Sequence, residues 1–356
     1  MKLPLRSTAQ LLILALLLPV VYAGADREFR TTPVMKQEAS TLVQLLEAYH
    51  YNKDAVKSSD FPQLISDYMK EGLDPYRLFF TAEDEHAFRA KYGPQIETDL
   101  AYLGNIDAAF TIYRAYEERV QARTTWVFEE LKRDYDFTTQ ETYAPDRSKS
   151  EFPANASEAD ELWRRRIKYE LLQELLADKT PADAKAKVRK RYERMLKNVG
   201  DIEPFDVQEM FLSTFTRMYD PHSAYFSADT LKDFSIQMKL SLIGIGAVLG
   251  LEDDGYCVVK EVKPGSPADL SGQIHMNDKI VAVQQPGGET IEVIGMKLRR
   301  IVDLIRGTKG SKVILTILPH DAVAAGKTKA VHIVRDVIKL AEARASAAIY
   351  DLPGEL

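Results

Sequence analysis

The hydrophobic period of this chain changes once, near Phe234, and that change divides it into two kinds of structure. From about residue 31 to 234, apolar residues recur at intervals of three and four, as in Leu42, Leu45, Leu46 and Tyr49 or Leu64, Ile65, Tyr68 and Met69. Charged residues fill the positions between them, so each segment predicts a helix with one apolar stripe. After residue 234, short apolar runs are separated by glycine and proline, the pattern of strands joined by tight turns. A chain of 356 residues is also long for one ordinary core. The expectation is an α+β multidomain protein, with a largely α-helical N-terminal region over 26–235 and a β-rich domain over 236–335.

Turn signals divide the helical region at Gly72-Leu73-Asp74-Pro75, at Tyr92-Gly93-Pro94 and at Asp220-Pro221. The polar stretch 138–159, with Pro145 and Pro153, predicts a loop between two helical groups. The second group is expected to open with Ser157 as its cap and to run through Leu162, Trp163, Ile167, Leu171, Leu172 and Leu175. The Asn155-Ala156-Ser157 sequon therefore reads as a helix start, and the basic run 164–168 as a solvated helix face. Asp220, His222 and Ser223 are the residue types of a hydrolytic relay, but residues so close in sequence do not reach one another in the way that relay requires. They read as a helix-ending turn, with Tyr225 and Phe226 as core anchors.

The first 25 residues have the layout of a secretory signal peptide: Lys2 and Arg6, an apolar run over 11–21, then Ala23, Gly24 and Ala25. The run is about half of the ~20 residues that a bilayer-spanning helix needs, so cleavage and release to a bacterial periplasm is expected, with no stable membrane anchor. A formal net charge of -6 argues against general affinity for nucleic acid. The single cysteine, Cys257, lies in an apolar run and reads as a buried, inert thiol. The six histidines lack the spacing of a metal-binding helix. No metal or cofactor is indicated.

The β-rich region carries the candidate site. An apolar run over 240–251 is split by Gly244, Gly246 and Gly250, Asp253-Asp254-Gly255 supplies a turn, and a second strand follows over 256–262. Ser266 caps a short helix with Pro267 in its first position and Gly272 at its end. Strands are expected over 279–283, 312–318 and 330–334, and Leu298, Ile301, Val302 and Ile305 mark one face of a helix stopping at Gly307. A free C-terminal tail ends in a carboxylate that needs donors to replace its water. Consecutive backbone N–H groups of Gly244, Ile245, Gly246 and Ala247 can supply them, because glycine lets a ligand approach the backbone. The tail can then pair with the strand edge at Ala247, Val248 and Leu249, its last side chain entering a pocket beside Leu298, Ile301, Val302 and Ile305.

The order of these segments sharpens the reading. The stretches Ser-Leu-Ile-Gly-Ile-Gly-Ala-Val-Leu, Pro-Gly-Ser-Pro-Ala, Asn-Asp-Lys-Ile-Val-Ala-Val and Arg-Gly-Thr-Lys-Gly-Ser-Lys-Val together resemble the PDZ domain of the C-terminal processing peptidases, or tail-specific proteases. Upstream, Asp220 to Phe226, Leu162 to Arg166 and Gly72 to Pro75 are similar to that family's N-terminal helical region. The resemblance implies a module that recruits substrate tails for a serine-type protease with a Ser-Lys dyad. No segment here matches either dyad motif, so no residue is assigned to catalysis, Lys339 and Ser346 included. Residues 336–356 are then expected to begin a protease domain that the chain lacks. The alternative is a stand-alone periplasmic PDZ adaptor without protease activity, and an envelope adaptor protein is a further partner compatible with either.

Overall fold

The computed structural model describes residues 27–252, 254–321 and 327–339. The leader expected over 1–25, Asp253 and Ser346 lie outside them. Two compact units divide the chain between Ser227 and Ala228, ahead of the change of period near Phe234. The difference is one helix, α8 (Ala228–Lys239), which has helical spacing yet belongs to the second unit.

The first unit is helical: α1 (Pro33–Tyr49), α2 (Phe61–Asp67), α3 (Ala82–Tyr92), α4 (Asp107–Glu130), α5 (Ala156–Leu176), α6 (Pro181–Gly200) and α7 (Pro204–Tyr219). Thr32 and Thr180 cap α1 and α6 by accepting from backbone N–H groups, each followed by proline in the first turn. α2 runs into a wider π-helical turn, Tyr68–Leu73, and Asp74 ends it. The buried Asp74 carboxylate accepts from the N–H groups of Leu78, Phe79 and Phe80 at 2.8, 2.7 and 3.1 Å. Burial still pushes its pKa up, against those three donors.

Several expectations shift in detail. α5 is capped by Asn155, whose side chain accepts from the Glu158 N–H at 3.1 Å, so Ser157 sits inside the first turn. The carboxamide of Asn155 reaches the third N–H from an extended backbone, and that geometry decides the start. On α1 the buried stripe is Met35, Ala39, Val43 and Leu46, while Leu45 and Tyr49 point outward. The period was right and its phase was not, because α1 carries apolar residues on both sides. The basic run on α5 is ion-paired rather than solvated: Arg164 and Arg165 meet Glu161, Arg166 meets Glu170, and Lys168, itself buried, meets Glu141. Tyr225 packs on the core, but Phe226 is 38% exposed and is no anchor.

The second unit contains β1 (Ser241–Gly244), β2 (Ala247–Leu251), β3 (Cys257–Val262), α9 (Pro267–Ser271), β4 (Lys279–Gln284), β5 (Thr290–Glu292), α10 (Leu298–Ile305), β6 (Lys312–Leu318), β7 (Lys329–Val334) and β8 (Asp336–Lys339). One antiparallel sheet has the order β2-β3-β4-β6-β7, with β5 on β4. The apolar run over 240–251 is thus two strands in two sheets. β1 leaves the main sheet and pairs with β8 in the register Ser241↔Lys339 to Gly244↔Asp336. Residues 336–339, read from the sequence as the start of another domain, are tied to this unit by that pairing. Ser266 caps α9, Pro267 opens it and Gly272 ends it at φ +61°, as the sequence predicts. Cys257 is fully buried, and burial raises its thiol pKa to about 11, which leaves it protonated and inert near neutrality.

Candidate functional site

The loop between β1 and β2 is Ile245-Gly246, and the fold holds its carbonyls away from any ligand. The Ile245 carbonyl accepts from the Ala268 N–H and the Gly246 carbonyl from the Lys263 N–H, both at 2.8 Å. The Ser266 hydroxyl also lies 3.2 Å from the Gly246 carbonyl oxygen. With the carbonyls tied inward, the N–H groups that share those peptide planes, on Gly246 and Ala247, face the other way. Gly244, Ile245 and Gly246 are buried, yet among the described residues the N–H groups of Ile245 and Gly246 have no protein acceptor. Gly246 has φ +78°, and a Cβ there would stand 2.1 Å from Cβ of Ser266. Only glycine meets both demands.

Beside this loop, β2 is an edge strand whose only sheet neighbour among the described residues is β3. Its free edge is available for a further strand, and Val248 is 42% exposed along it. A bulge between Val248 and Leu249 changes its register against β3. α10 packs against β2 and β4. Of the four residues that the helical period placed on its apolar face, Ile301 and Ile305 are core residues, whereas Leu298 and Val302 are half-buried. One apolar face is thus divided: Ile301 and Ile305 hold the helix on the sheet, and Leu298 and Val302 keep part of their apolar surface exposed. Ile245 is likewise a core residue through its side chain and contributes only its backbone to the loop.

Arg335 fixes the far end of α10, a role that its position between two strands did not suggest. It is 2% exposed, and its guanidinium donates to the carbonyls of Ile305 at 2.7 Å, Leu304 at 3.2 Å and Lys312 at 2.8 Å. The Ser311 hydroxyl and the Gln285 side-chain oxygen, each at 2.8 Å, complete its partners. Two of those carbonyls belong to the last turn of α10, where a cation also suits the helix dipole. Burial lowers its pKa from the ordinary value, though an arginine so placed stays charged. The residue that ends α10 is Arg306, in extended conformation. Gly307 makes room for Arg335, since a Cβ there would lie 2.9 Å from the guanidinium carbon.

In the helical unit the Asp220-Pro221-His222-Ser223 turn gains a partner from outside its own stretch. His50, beyond the end of α1, places Nε2 3.1 Å from the Ser223 hydroxyl, which in turn donates to Asp220 at 2.7 Å. The Asn52 N–H donates to His50 Nδ1 at 3.1 Å. Nδ1 is therefore an acceptor, so Nε2 carries the ring proton and donates to Ser223. The serine proton is committed to Asp220, and the histidine has no free lone pair to take it, so the cluster is a joint between α1 and the turn after α7 rather than a nucleophile relay. Asp220 sits below the usual carboxylate range because of Ser223 and the His222 N–H. Among the described residues no group of three or more His, Cys, Asp or Glu side chains could hold a metal, and no helix is long and apolar enough to cross a membrane.

Comparisons with known proteins agree with this division. Residues 42–229 match the family model described as the tail specific protease N-terminal domain, and residues 233–318 match the PDZ domain. The tail-specific protease of Haemophilus influenzae is 33% identical over 306 residues, covering 86% of this chain and 43% of that protein. The carboxy-terminal processing protease CtpB of Bacillus subtilis is 33% identical over 145 residues, 40% of this chain and 28% of that one. Among solved structures, a PDZ domain of the carboxy-terminal protease from Vibrio cholerae in complex with peptide is 45% identical, covering 28% of this chain and all of that one, with a TM-score of 0.26. The chain spans less than half the length of the curated relatives it matches. With a helical region and a strand-rich module that match in sequence order, the chain belongs to the tail-specific, or C-terminal processing, protease family.

Proposed function

We propose that this chain captures the free C-terminal tails of other polypeptides and so supplies substrate recognition for a serine-type tail-specific protease. The observation that carries the reading is the pair of N–H groups at Ile245 and Gly246, without protein acceptors among the described residues, beside the edge strand β2. A tail carboxylate satisfies both donors, the preceding residues extend the sheet from β2, and the last side chain rests on Leu298 and Val302. The order of parts matters: the carboxylate fixes the register, and the apolar surface then selects the terminal side chain.

The test is a titration of purified protein with a fluorescent peptide that ends in an apolar residue, compared with its C-terminal amide. Charge-assisted hydrogen bonds contribute about 1.5–3 kcal/mol each, so amidation weakens binding by roughly tenfold or more. Equal affinity for the two peptides would remove the carboxylate loop from the reading.

A further inference from the structure

α8 differs from every other α-helix among the described residues in burying none of its side chains. It nevertheless faces α10 across a cleft of about 310 Å³ lined by Leu298 and Val302, the two half-buried apolar residues to which the tail-binding reading gives the terminal side chain. The two helices are joined by charge. Asp233 lies 3.3 Å from Arg299 and 3.4 Å from Arg306, two residues seven positions apart on one side of α10. Asp229 adds a longer pair to Arg299 at 4.0 Å. These side chains are about half or one-third exposed, and exposed ion pairs hold little free energy. α8 also contacts β1, but it puts no side chain in the core and the ion pairs that tie it to α10 are exposed, so those ties can open at small cost.

We infer that α8 is a lid on the tail groove: Asp233 tethers it to Arg299 and Arg306, and an incoming tail competes with it for Leu298 and Val302. The inference rests on the tail-binding reading above. In the free protein the lid stands at the apolar part of the groove, and a tail is admitted when the tether opens. Tail affinity is then lowered by the population of the closed form.

The competition is tested by binding of the free-carboxylate peptide to two variants that break the tether from opposite sides. Asp233→Ala removes the acid, and Arg299→Ala with Arg306→Ala removes the bases. Both variants open the lid, and both are expected to raise affinity about three- to tenfold, the range that two exposed ion pairs allow. A purely electrostatic effect on an anionic tail gives opposite signs, with tighter binding for Asp233→Ala and weaker binding for the double variant. Hydrogen exchange provides a readout on the unmodified protein: the amides of α8 exchange faster when the free tail saturates the site and are unchanged by the amidated peptide. Unchanged or weaker binding in either variant, with its thermal transition retained, overturns the lid, and so does slower exchange of α8 in the bound state. If the unmodified protein fails to distinguish free from amidated tails, the tail-binding reading itself fails. If it distinguishes them and the variants gain nothing, the lid alone is lost.

Discussion

The two units solve the packing problem with different materials. The helical unit is built on rings: Tyr68 meets Phe211 at 5.1 Å and 88°, Phe215 meets Tyr219 at 5.5 Å and 82°, and Trp163 fills the second core beside Tyr192. Among the described residues the core of the second unit contains isoleucine, valine, leucine, alanine and Cys257, and no aromatic residue. Helices of unequal length meet at varied angles and leave irregular gaps, which large flat side chains fill edge to face. Strands present branched side chains at a regular spacing, and a small sheet with two helices needs nothing larger. Polar groups differ in the same sense. In the helical unit some buried handles find partners, as when the Trp163 indole donates to the Leu78 carbonyl at 2.7 Å and the Tyr113 hydroxyl to the Val199 carbonyl at 2.8 Å, whereas the buried Ser66 and Thr124 hydroxyls and the Gln208 side-chain oxygen have none among the described residues. In the second unit the loop at Ile245-Gly246 keeps two donors uncommitted. Among the described residues the contrast lies in where unpaired groups stand, on buried side chains in the helical unit and on the backbone of the β1–β2 loop in the second.

The sharpest way to break this contrast is to remove Arg335. Arg335→Ala leaves the last carbonyls of α10 without their buried donor and is expected to destabilise the second unit by about 3 kcal/mol, weakening tail binding as well. Thermal unfolding followed by far-ultraviolet circular dichroism, alongside the peptide titration, checks it; full stability and affinity in the variant would show that α10 needs no such cap. Asp74→Ala is the counterpart in the helical unit. It strands the N–H groups of Leu78, Phe79 and Phe80 and is expected to cost about 2 kcal/mol, read by tryptophan fluorescence during urea unfolding. An unchanged midpoint would show that those donors find other partners.

The smallest effect is on pH. Glu161, beside Arg164 and Arg165, is held down to about 2, and so is Glu174, beside Lys187 and Lys179. Both lie below the ordinary value of 4.5, so their contribution is present above about pH 4.5 and is lost as pH falls toward 2. The tryptophan-reported midpoint should fall through that window, and less so in a Glu161→Gln variant, which has already lost one of the two groups. Equal acid sensitivity in both proteins would show that Glu161 plays no part.

Much of the second unit could be read from local signals. Ser266-Pro267 and Gly272 bracket α9, and the spacing of Leu298, Ile301, Val302 and Ile305 locates α10, because caps and periods are properties of neighbouring residues. What could not be read depends on distant chain. Nothing near Ile245 announces that β1 leaves the sheet to pair with β8 almost a hundred residues later. Nothing near Arg335 announces that its guanidinium reaches Ile305. At α10 the apolar period found the face but not its division, since residues facing the core and residues facing a groove share one chemistry. The turn after α7 shows the same limit: Asp220 and Ser223 were visible as a pair, but their third member, His50, comes from the opposite end of the helical unit.

The aliphatic core of the second unit also has an optical consequence. The chain has two tryptophans, Trp126 on α4 and Trp163 on α5, and both lie in the helical unit. The proposed tail capture at β2 and α10 would therefore take place in a unit without tryptophan. Any change in the chain's own tryptophan emission when an indole-free peptide binds is a signal that has crossed from one unit to the other, and the titration that measures affinity measures that communication as well.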